Sequence, residues 1–326
     1  MRSSLQSDQL WLFDCGGVDL SALRVRHETL RRSIRARRTV HAYASDWRQF
    51  EHWCARAGRS PLPADTDTVN LYVTWMLDTL KRKVTTTERH VSAIIHFHHA
   101  KAIDPPALAG VRDVIRAVKR DRKEQPVGKT ALAKDDIARV ARACGNSVAG
   151  IRDRALIVLG FATSFRRSEL AGLQLSDIVF KPGGLAVLLR YSKRDQEGKG
   201  RMLGVWPGRR ASTDPVRCLR AWLELRGKWP GPLFCRVQTG GVVQRKGISG
   251  EAVNEAVKRA IANAGIDPDT YGAHSLRSGA ITAAADLGRS DLELKGLSGH
   301  RSTRMLEVYV RGARLFTGRN PLAGVL

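Results

Sequence analysis

Tyr309 follows His300 by nine residues in "LSGHRSTRMLEVYVRG", and it is one of six polar side chains whose types fit a single reaction. Arg166 stands in "ATSFRRSEL", with Glu169 three residues on. Lys193 opens the polar run "KRDQEGKG", and His274 and Arg277 lie one helical turn apart in "HSLRSGA". Taken singly, each has an ordinary explanation. Tyr309 fits a packing aromatic near a chain end, Arg166 with Glu169 an exposed ion pair of little value, and Lys193 a solvated loop charge. His274 and Arg277 fit phosphate contacts of a binding helix without chemistry. Taken together, they are what metal-free attack on a phosphodiester requires. The pentacoordinate transition state gathers negative charge on its non-bridging oxygens, and two guanidiniums can clamp it through paired bonds that lysine cannot imitate. A lysine of lowered pKa can protonate the leaving 5′ oxygen. A histidine can help to remove the tyrosine proton, because a neutral phenol of pKa about 10 is a poor nucleophile.

Elements of known period must position these groups. In the first third of the chain, "RTVHAYASDWRQFEHWCARAG" sets Val40, Tyr43, Trp47, Phe50 and Trp53–Cys54 at helical steps, and Gly58 ends the run. A second helix capped by Thr66 or Asp67 is predicted through Leu80, and a third from the threonines at 85–87 to about Lys101, burying Val91, Ile94, Ile95 and His98. A fourth follows Pro105–Pro106 and ends near Arg120. Short connections imply a compact helical bundle over 35–120, after an extension at 1–34. The run at 121–130 is polar, charged and broken by Pro126 and Gly128, the composition of a linker. Beyond it, helices are predicted near 134–144, 150–163, 167–173, 214–227, 249–264, 275–287 and 302–312. Paired strands are predicted at 185–192 and 201–206. The expected fold is therefore mainly α with a small β-sheet: a helical bundle, then an α+β domain over 131–312, then a tail at 313–326.

Composition narrows the class. The 326 residues carry a formal charge of +24, which a polyanion neutralises best, and nucleic acid is the usual one. The basic residues are spread along the chain rather than gathered on one amphipathic helix, which disfavours a membrane surface, and no apolar run approaches the ~18 residues of a membrane span. Five cysteines without C-x-x-C spacing read as reduced and structural, and the chain as cytoplasmic and nucleoid-associated. In "HFHH", His96 and His99 share a helix face while His98 points away, and no carboxylate or cysteine joins them, so no metal site is read there.

The boxes at 162–170, 185–206, 274–280 and 294–310 together resemble the tyrosine recombinases, the phage integrase family. "TSFRRSEL" matches a first box of the form T-G-L-R-x-x-E-L; "HSLRSGA", "LSGH" and "VYV" match H-x-L-R-x-x-x-A, L-G-H and a tyrosine nine residues later. Ser164–Phe165 replaces the usual Gly-Leu, and Ser298 replaces a leucine, so local packing is expected to differ at those two points.

This resemblance implies a core-binding, SAM-like helical domain and a catalytic domain that close on duplex DNA as a clamp. Lys81, Arg82, Lys83 and Arg89 are then expected to contact DNA. It further implies that Tyr309 attacks the scissile phosphate to leave a 3′-phosphotyrosyl bond and a free 5′-hydroxyl. Arg166 and Arg277 hold the phosphate, His274 acts as acid–base, His300 hydrogen-bonds the phosphate and Glu169 supports. The general acid is Lys193, at the end of its strand, or Lys199. No cofactor, metal or ATP is implied. The implied partners are double-stranded DNA with specific recombination sites, a homotetramer on two paired sites, and accessory DNA-bending proteins. Strand exchange would pass through a Holliday junction. The chain's tail would dock on a neighbouring protomer. Two other readings share the residues: a type IB topoisomerase-like relaxing enzyme, which needs no paired sites, and a DNA-binding protein without catalysis.

Overall fold

The computed structural model describes residues 19–33, 37–123, 129–190, 200–300, 302–304, 306, 307, 309 and 310. Two compact units emerge, Met1–Pro126 and Val127–Leu326.

In the first unit, α1 (Leu20–Ser33) lies within the extension and exposes Leu20, Leu23 and Val25. The bundle proper comprises α2 (Arg37–Ala57), α3 (Thr66–Thr74), α4 (Val84–Ala100) and α5 (Ala109–Arg122). Asp65, not Thr66 or Asp67, caps α3: its backbone is extended, and its carboxylate accepts from the Thr68 amide at 2.6 Å. After Thr74 the helix widens into a π-helical turn, Trp75–Thr79, in which the Leu80 amide reaches back to the Trp75 carbonyl. Most of the predicted apolar positions join the core, with Tyr72 added, but Val40 and Leu80 at the helix ends are exposed. Trp47, Phe50, Cys54, Tyr72, Val73, Met76, Val91 and Ile94 are buried, while Ile95 is half-buried against them. His98 is fully buried with both ring nitrogens committed, Nε2 accepting from the Ala64 amide at 3.0 Å and Nδ1 meeting the Ile94 carbonyl at 2.8 Å.

The second unit is mainly helical and carries two small sheets. Its elements are α6 (Asp136–Ala143), α7 (Val148–Thr163), α8 (Arg167–Gly172), β1 (Ile178–Lys181), β2 (Gly184–Leu189), β3 (Arg201–Val205), α9 (Pro215–Arg226), β4 (Cys235–Val237), β5 (Val243–Gly247), α10 (Gly250–Asn263), α11 (Ala273–Asp286) and α12 (Asp291–Ser298). Strands β1, β2 and β3 form one antiparallel sheet in that order, and β4 pairs with β5. The expected strand pair is β2–β3, in register Leu185 with Val205 and Leu189 with Arg201. The sequence reading missed β1, β4, β5 and α12, all short elements of three to eight residues.

Helix α7 is apolar nearly all round because it runs through the middle of this unit, packed on α9 and α11. Helix α11 meets the backbone at Leu132 so closely that Gly279 has no room for a side chain. A Cβ there would lie 2.1 Å from the Leu132 carbonyl oxygen. A separate small core joins Ile281 and Ala285 of α11 to Leu294 of α12 and to Leu306 and Val310. Of the chain beyond α12, Arg304, Leu306, Glu307, Tyr309 and Val310 are helical. Four cysteines, Cys54, Cys144, Cys218 and Cys235, are unpaired thiols; burial pushes Cys54 up to about 11 and Cys144 to about 12. No helix among the described residues is long and apolar enough to cross a membrane.

Candidate active site

The turn between α7 and α8 places Arg166. Ser164 ends α7 in the left-handed region at φ 56°, which turns Phe165 into the core at 0% exposure and leaves Arg166 extended at the N-cap of α8. Glu169, three residues into the turn of α8, then does two things. Its carboxylate accepts from the Arg166 backbone amide at 2.8 Å and from Nη1 of the same residue at 2.6 Å. The pair is not the exposed one that spacing alone allows, because the Glu169 side chain is 4% exposed and that of Arg166 22%. A buried carboxylate of this kind fixes the guanidinium as well as neutralising it.

Helix α11 supplies His274 and Arg277. Its first turn begins at Ala273, so His274 lies at the helix start, exposed, while Arg277 one turn on is 1% exposed. Among the described residues no carboxylate bonds Arg277. Nη1 donates to the Ser164 carbonyl and Nη2 to the Ser298 carbonyl, each at 2.6 Å, and Nη2 also meets His300 Nε2 at 3.2 Å. These contacts tie the α7–α8 turn and the α12 C-terminus to one guanidinium. Burial, aided by nearby Arg166, lowers Arg277 to about 10, which leaves it cationic at neutral pH.

His300 follows the end of α12. Ser290 caps that helix through a reciprocal pair with Glu293, and Gly299 closes it at φ 66°. Arg201, the first residue of β3, donates to the Gly296 and Leu297 carbonyls and so satisfies the helix end with a cation. His300 itself is 7% exposed, with Nδ1 2.8 Å from Ser298 Oγ.

Tyr309 completes the group. Leu306 and Val310, buried in the small core with α11 and α12, set its helix. The Tyr309 hydroxyl then lies 3.2 Å from His274 Nε2, and its ring lies over His300 at 6.1 Å between centroids. Although His274 reaches solvent, the protein packed around its imidazole desolvates the ring and lowers its pKa, with Arg277 and Arg166 adding to the shift. The imidazole is therefore neutral at neutral pH and able to accept a proton.

Five of the six predicted groups thus lie around one place, linked through Arg277, His274 and their partners. Lys193 and Lys199 lie outside the described residues, as does the 313–326 tail. The sequence reading missed the positioning partners. Arg201 was legible only as a hairpin cation, and Ser164 and Ser298 only as substitutions beside the motifs. Of the expected DNA contacts in the first unit, Lys81, Arg82 and Lys83 are exposed between the π-helical turn and α4, and Lys81 pairs with Asp78 at 3.0 Å. Arg89 is engaged by the buried Asp46, through bonds of 2.7 and 2.9 Å.

Comparison with known proteins identifies the family. The model of the phage integrase family matches residues 130–314. An integrase/recombinase xerD homolog of Selenomonas ruminantium is 32% identical over 287 residues, covering 86% of this chain and 84% of that protein. Tyrosine recombinase XerD of Xanthomonas axonopodis pv. citri is 27% identical over 293 residues, covering 86% and 88%. Among solved structures, the XerH site-specific recombinase in a post-cleavage complex with palindromic difH substrate is similar in fold. Its TM-score is 0.61 at 17% identity, over 84% of this chain and 76% of that one. A lambda integrase dimer bound to a COC′ core site gives 0.57 at 18% identity, over 89% and 77%. The family match spans more than half of the chain and the Selenomonas relative nearly all of it, so the chain belongs to the phage integrase family and is a tyrosine-type site-specific recombinase, an enzyme that cuts and rejoins DNA.

Proposed function

We propose that Tyr309 is the nucleophile of this recombinase and that Arg166, His274, Arg277 and His300 form its phosphate site. The observation that carries the reading is the 3.2 Å contact between the Tyr309 hydroxyl and His274 Nε2, beside a buried guanidinium. His274 accepts the phenolic proton as the Tyr309 oxygen bonds to phosphorus. Arg277, its plane set by the Ser164 and Ser298 carbonyls, and Arg166, held by Glu169, take the charge that develops on the non-bridging oxygens. Both guanidiniums are set before substrate arrives, so little reorganisation is needed during the reaction. His300 adds a hydrogen bond to the phosphate. Lys193, in the segment between β2 and β3, protonates the departing 5′ oxygen; this assignment rests on the family resemblance.

The product is a 3′-phosphotyrosyl bond and a free 5′-hydroxyl. One phosphodiester bond has been exchanged for another, so the bond energy is kept and no ATP is consumed. A 5′-hydroxyl from a second duplex then attacks the phosphotyrosine and releases Tyr309. Repetition on the other strand pair passes through a Holliday junction. The reading extends to four copies of this chain on two paired DNA sites, with 35–120 as the core-binding domain, 131–312 as the catalytic domain and 121–130 as their linker. The charge of +24 supports a duplex partner, and Lys81, Arg82 and Lys83 offer exposed cations to its phosphates. Accessory DNA-bending proteins fit the same scheme.

Covalent trapping tests it. The protein is incubated with DNA of its native replicon, denatured, and digested with nuclease and protease; mass spectrometry then locates the nucleotide. A nucleotide on the Tyr309 peptide is expected, and sequencing the trapped DNA would give the site. A nucleotide on another residue would overturn the assignment. Recombinant junctions from two sites, rather than relaxation of any supercoiled circle, separate recombination from a topoisomerase-like activity.

A further inference from the structure

Ser298 stands where the family pattern has leucine, and its hydroxyl has three neighbours. Oγ donates its only proton to the Leu294 carbonyl, one helical turn back, at 2.7 Å. Towards the His300 amide at 3.4 Å and the His300 Nδ1 at 2.8 Å it can then only accept. Nδ1 therefore carries a proton. The other side of the ring gives the same answer independently. Nε2 faces Nη2 of Arg277 at 3.2 Å, and a guanidinium only donates, so Nε2 holds a lone pair. Both contacts fit a neutral imidazole with its proton on Nδ1.

A neutral ring in this state cannot donate from Nε2 to a phosphate oxygen; it must first gain a second proton there. We propose that Ser298 is a positioning residue that holds the first proton of His300 on Nδ1 through the whole cycle. Proton exchange is then confined to Nε2, the nitrogen beside Arg277. The inference rests on the reading of this cluster as the phosphate site. When a phosphate enters, Arg277 turns its Nη2 proton from Nε2 to the anion. Nε2 takes a proton from solvent and donates it to the same phosphate. Release of the phosphate reverses both steps. Among the described residues, the charged and titratable groups around the ring are Arg277 and His274 of α11, Arg201 of β3 behind Gly299, Tyr309 stacked on its face, and Arg166 with Glu169 beyond Arg277. The cations oppose the second proton in the free protein, and an arriving phosphate reverses that balance. A leucine at this position would leave Nδ1–H of a buried ring without this acceptor and would not select between the two ring orientations.

Nitrogen-15 NMR of the full chain with labelled histidines reads the ring directly, with His300→Gln used to assign the signals among the nine histidines. The wild-type protein without DNA is expected to show a protonated Nδ1, protected from exchange, and a bare Nε2. Protection should be lost in Ser298→Ala and regained in Ser298→Thr. A proton on Nε2 in the wild type, or protection that survives in Ser298→Ala, would overturn the proposal. On a nicked duplex substrate, Ser298→Ala is expected to cleave about tenfold to a hundredfold more slowly, with Ser298→Thr restoring most of the rate. Ser298→Ala should add little to the defect of His300→Gln; a full additional loss in the double variant would mean that Ser298 acts through packing and not through His300. Normal cleavage by His300→Gln would instead strike the reading of His300 as a phosphate contact, and the ring measurement distinguishes that failure from failure of the Ser298 assignment.

Discussion

His274 Nε2 and the Tyr309 hydroxyl lie 3.2 Å apart although 35 residues separate them in the chain. The contact depends on two helices meeting through apolar side chains. Leu306 and Val310 flank Tyr309 on its own helix and bury themselves on Ile281, Ala285 and Leu294. A hydrogen bond between a candidate base and a candidate nucleophile is therefore held by a small apolar core, against which the Tyr309 ring itself packs. Any change that loosens this small core is expected to reach Tyr309 before it reaches the rest of the unit.

Replacing Tyr309 by phenylalanine removes a hydroxyl and leaves the ring. DNA affinity, which comes from many phosphate contacts, should stay within about twofold, while covalent adduct should disappear. Gel shift and trapping on a nicked substrate measure the two separately. Adduct formed by Tyr309→Phe would end the assignment.

The pH dependence of cleavage should carry the signature of His274. Only the neutral ring accepts the phenolic proton, so the rate falls as pH drops through its folded-state pKa. Burial, Arg277 and Arg166 all lower that pKa, which puts the acid limb below the ordinary imidazole value of about 6.5. His274→Gln should slow cleavage by about 10²- to 10⁴-fold and abolish the limb. A limb that persists in this variant belongs to another group.

Ser164 pays twice for its position. It holds φ 56°, a conformation that costs an L-residue about 1–2 kcal/mol, and its buried Oγ has no hydrogen-bond partner among the described residues. Glycine removes both penalties and costs about 0.5–1 kcal/mol in unfolded-chain entropy. Ser164→Gly is therefore expected to stabilise the second unit by about 1 kcal/mol, a rise in Tm of about 2–4 °C by calorimetry. An unchanged or lower Tm would show that the hydroxyl has a role in the folded state.

The first unit contains a buried polar chain that should be costly to break. The Tyr72 hydroxyl meets His90 Nδ1 at 2.9 Å, His90 Nε2 lies 3.2 Å from Asp46, and Arg89 grips the same carboxylate. Asp46→Ala leaves a 3%-exposed histidine and a half-exposed arginine without their acceptor. A loss of about 2–3 kcal/mol is expected, discounted for the exposure of Arg89. Denaturant unfolding followed by tryptophan fluorescence measures it, because Trp47, Trp53 and Trp75 all lie in or against that core.

Much of the molecule was legible in one dimension. Helices α2, α4, α5, α9 and α10 follow apolar positions at three- and four-residue steps, a period that burial of one face imposes on any sequence, whereas α7 is apolar nearly all round. Arg166, Glu169, His274, Arg277, His300 and Tyr309 could be singled out as candidates because phosphoryl transfer admits few residue types and their order was recognisable. The short elements were not. Helix α12 buries only Leu294 and Ser298, too few points to show a period, and β4 has three residues. The cap of α3 was misread by one or two positions because Asp65, Thr66 and Asp67 are all good caps, and only the backbone angle at Asp65 and its bond to the Thr68 amide distinguish them.

By itself the sequence determined the kinds of chemical group, their order, the helical framework and the excess of positive charge. Tertiary structure alone decided which neighbours those groups have. Arg201 reads as one more cation of a hairpin, yet it closes the end of a helix some 95 residues away. Ser298 reads as a lost leucine, yet its hydroxyl and carbonyl touch His300 and Arg277. Periodicity reports only which face of an element is buried, whereas a hydrogen bond depends on where the chain brings its second partner, and that position is set by the packing of the whole unit.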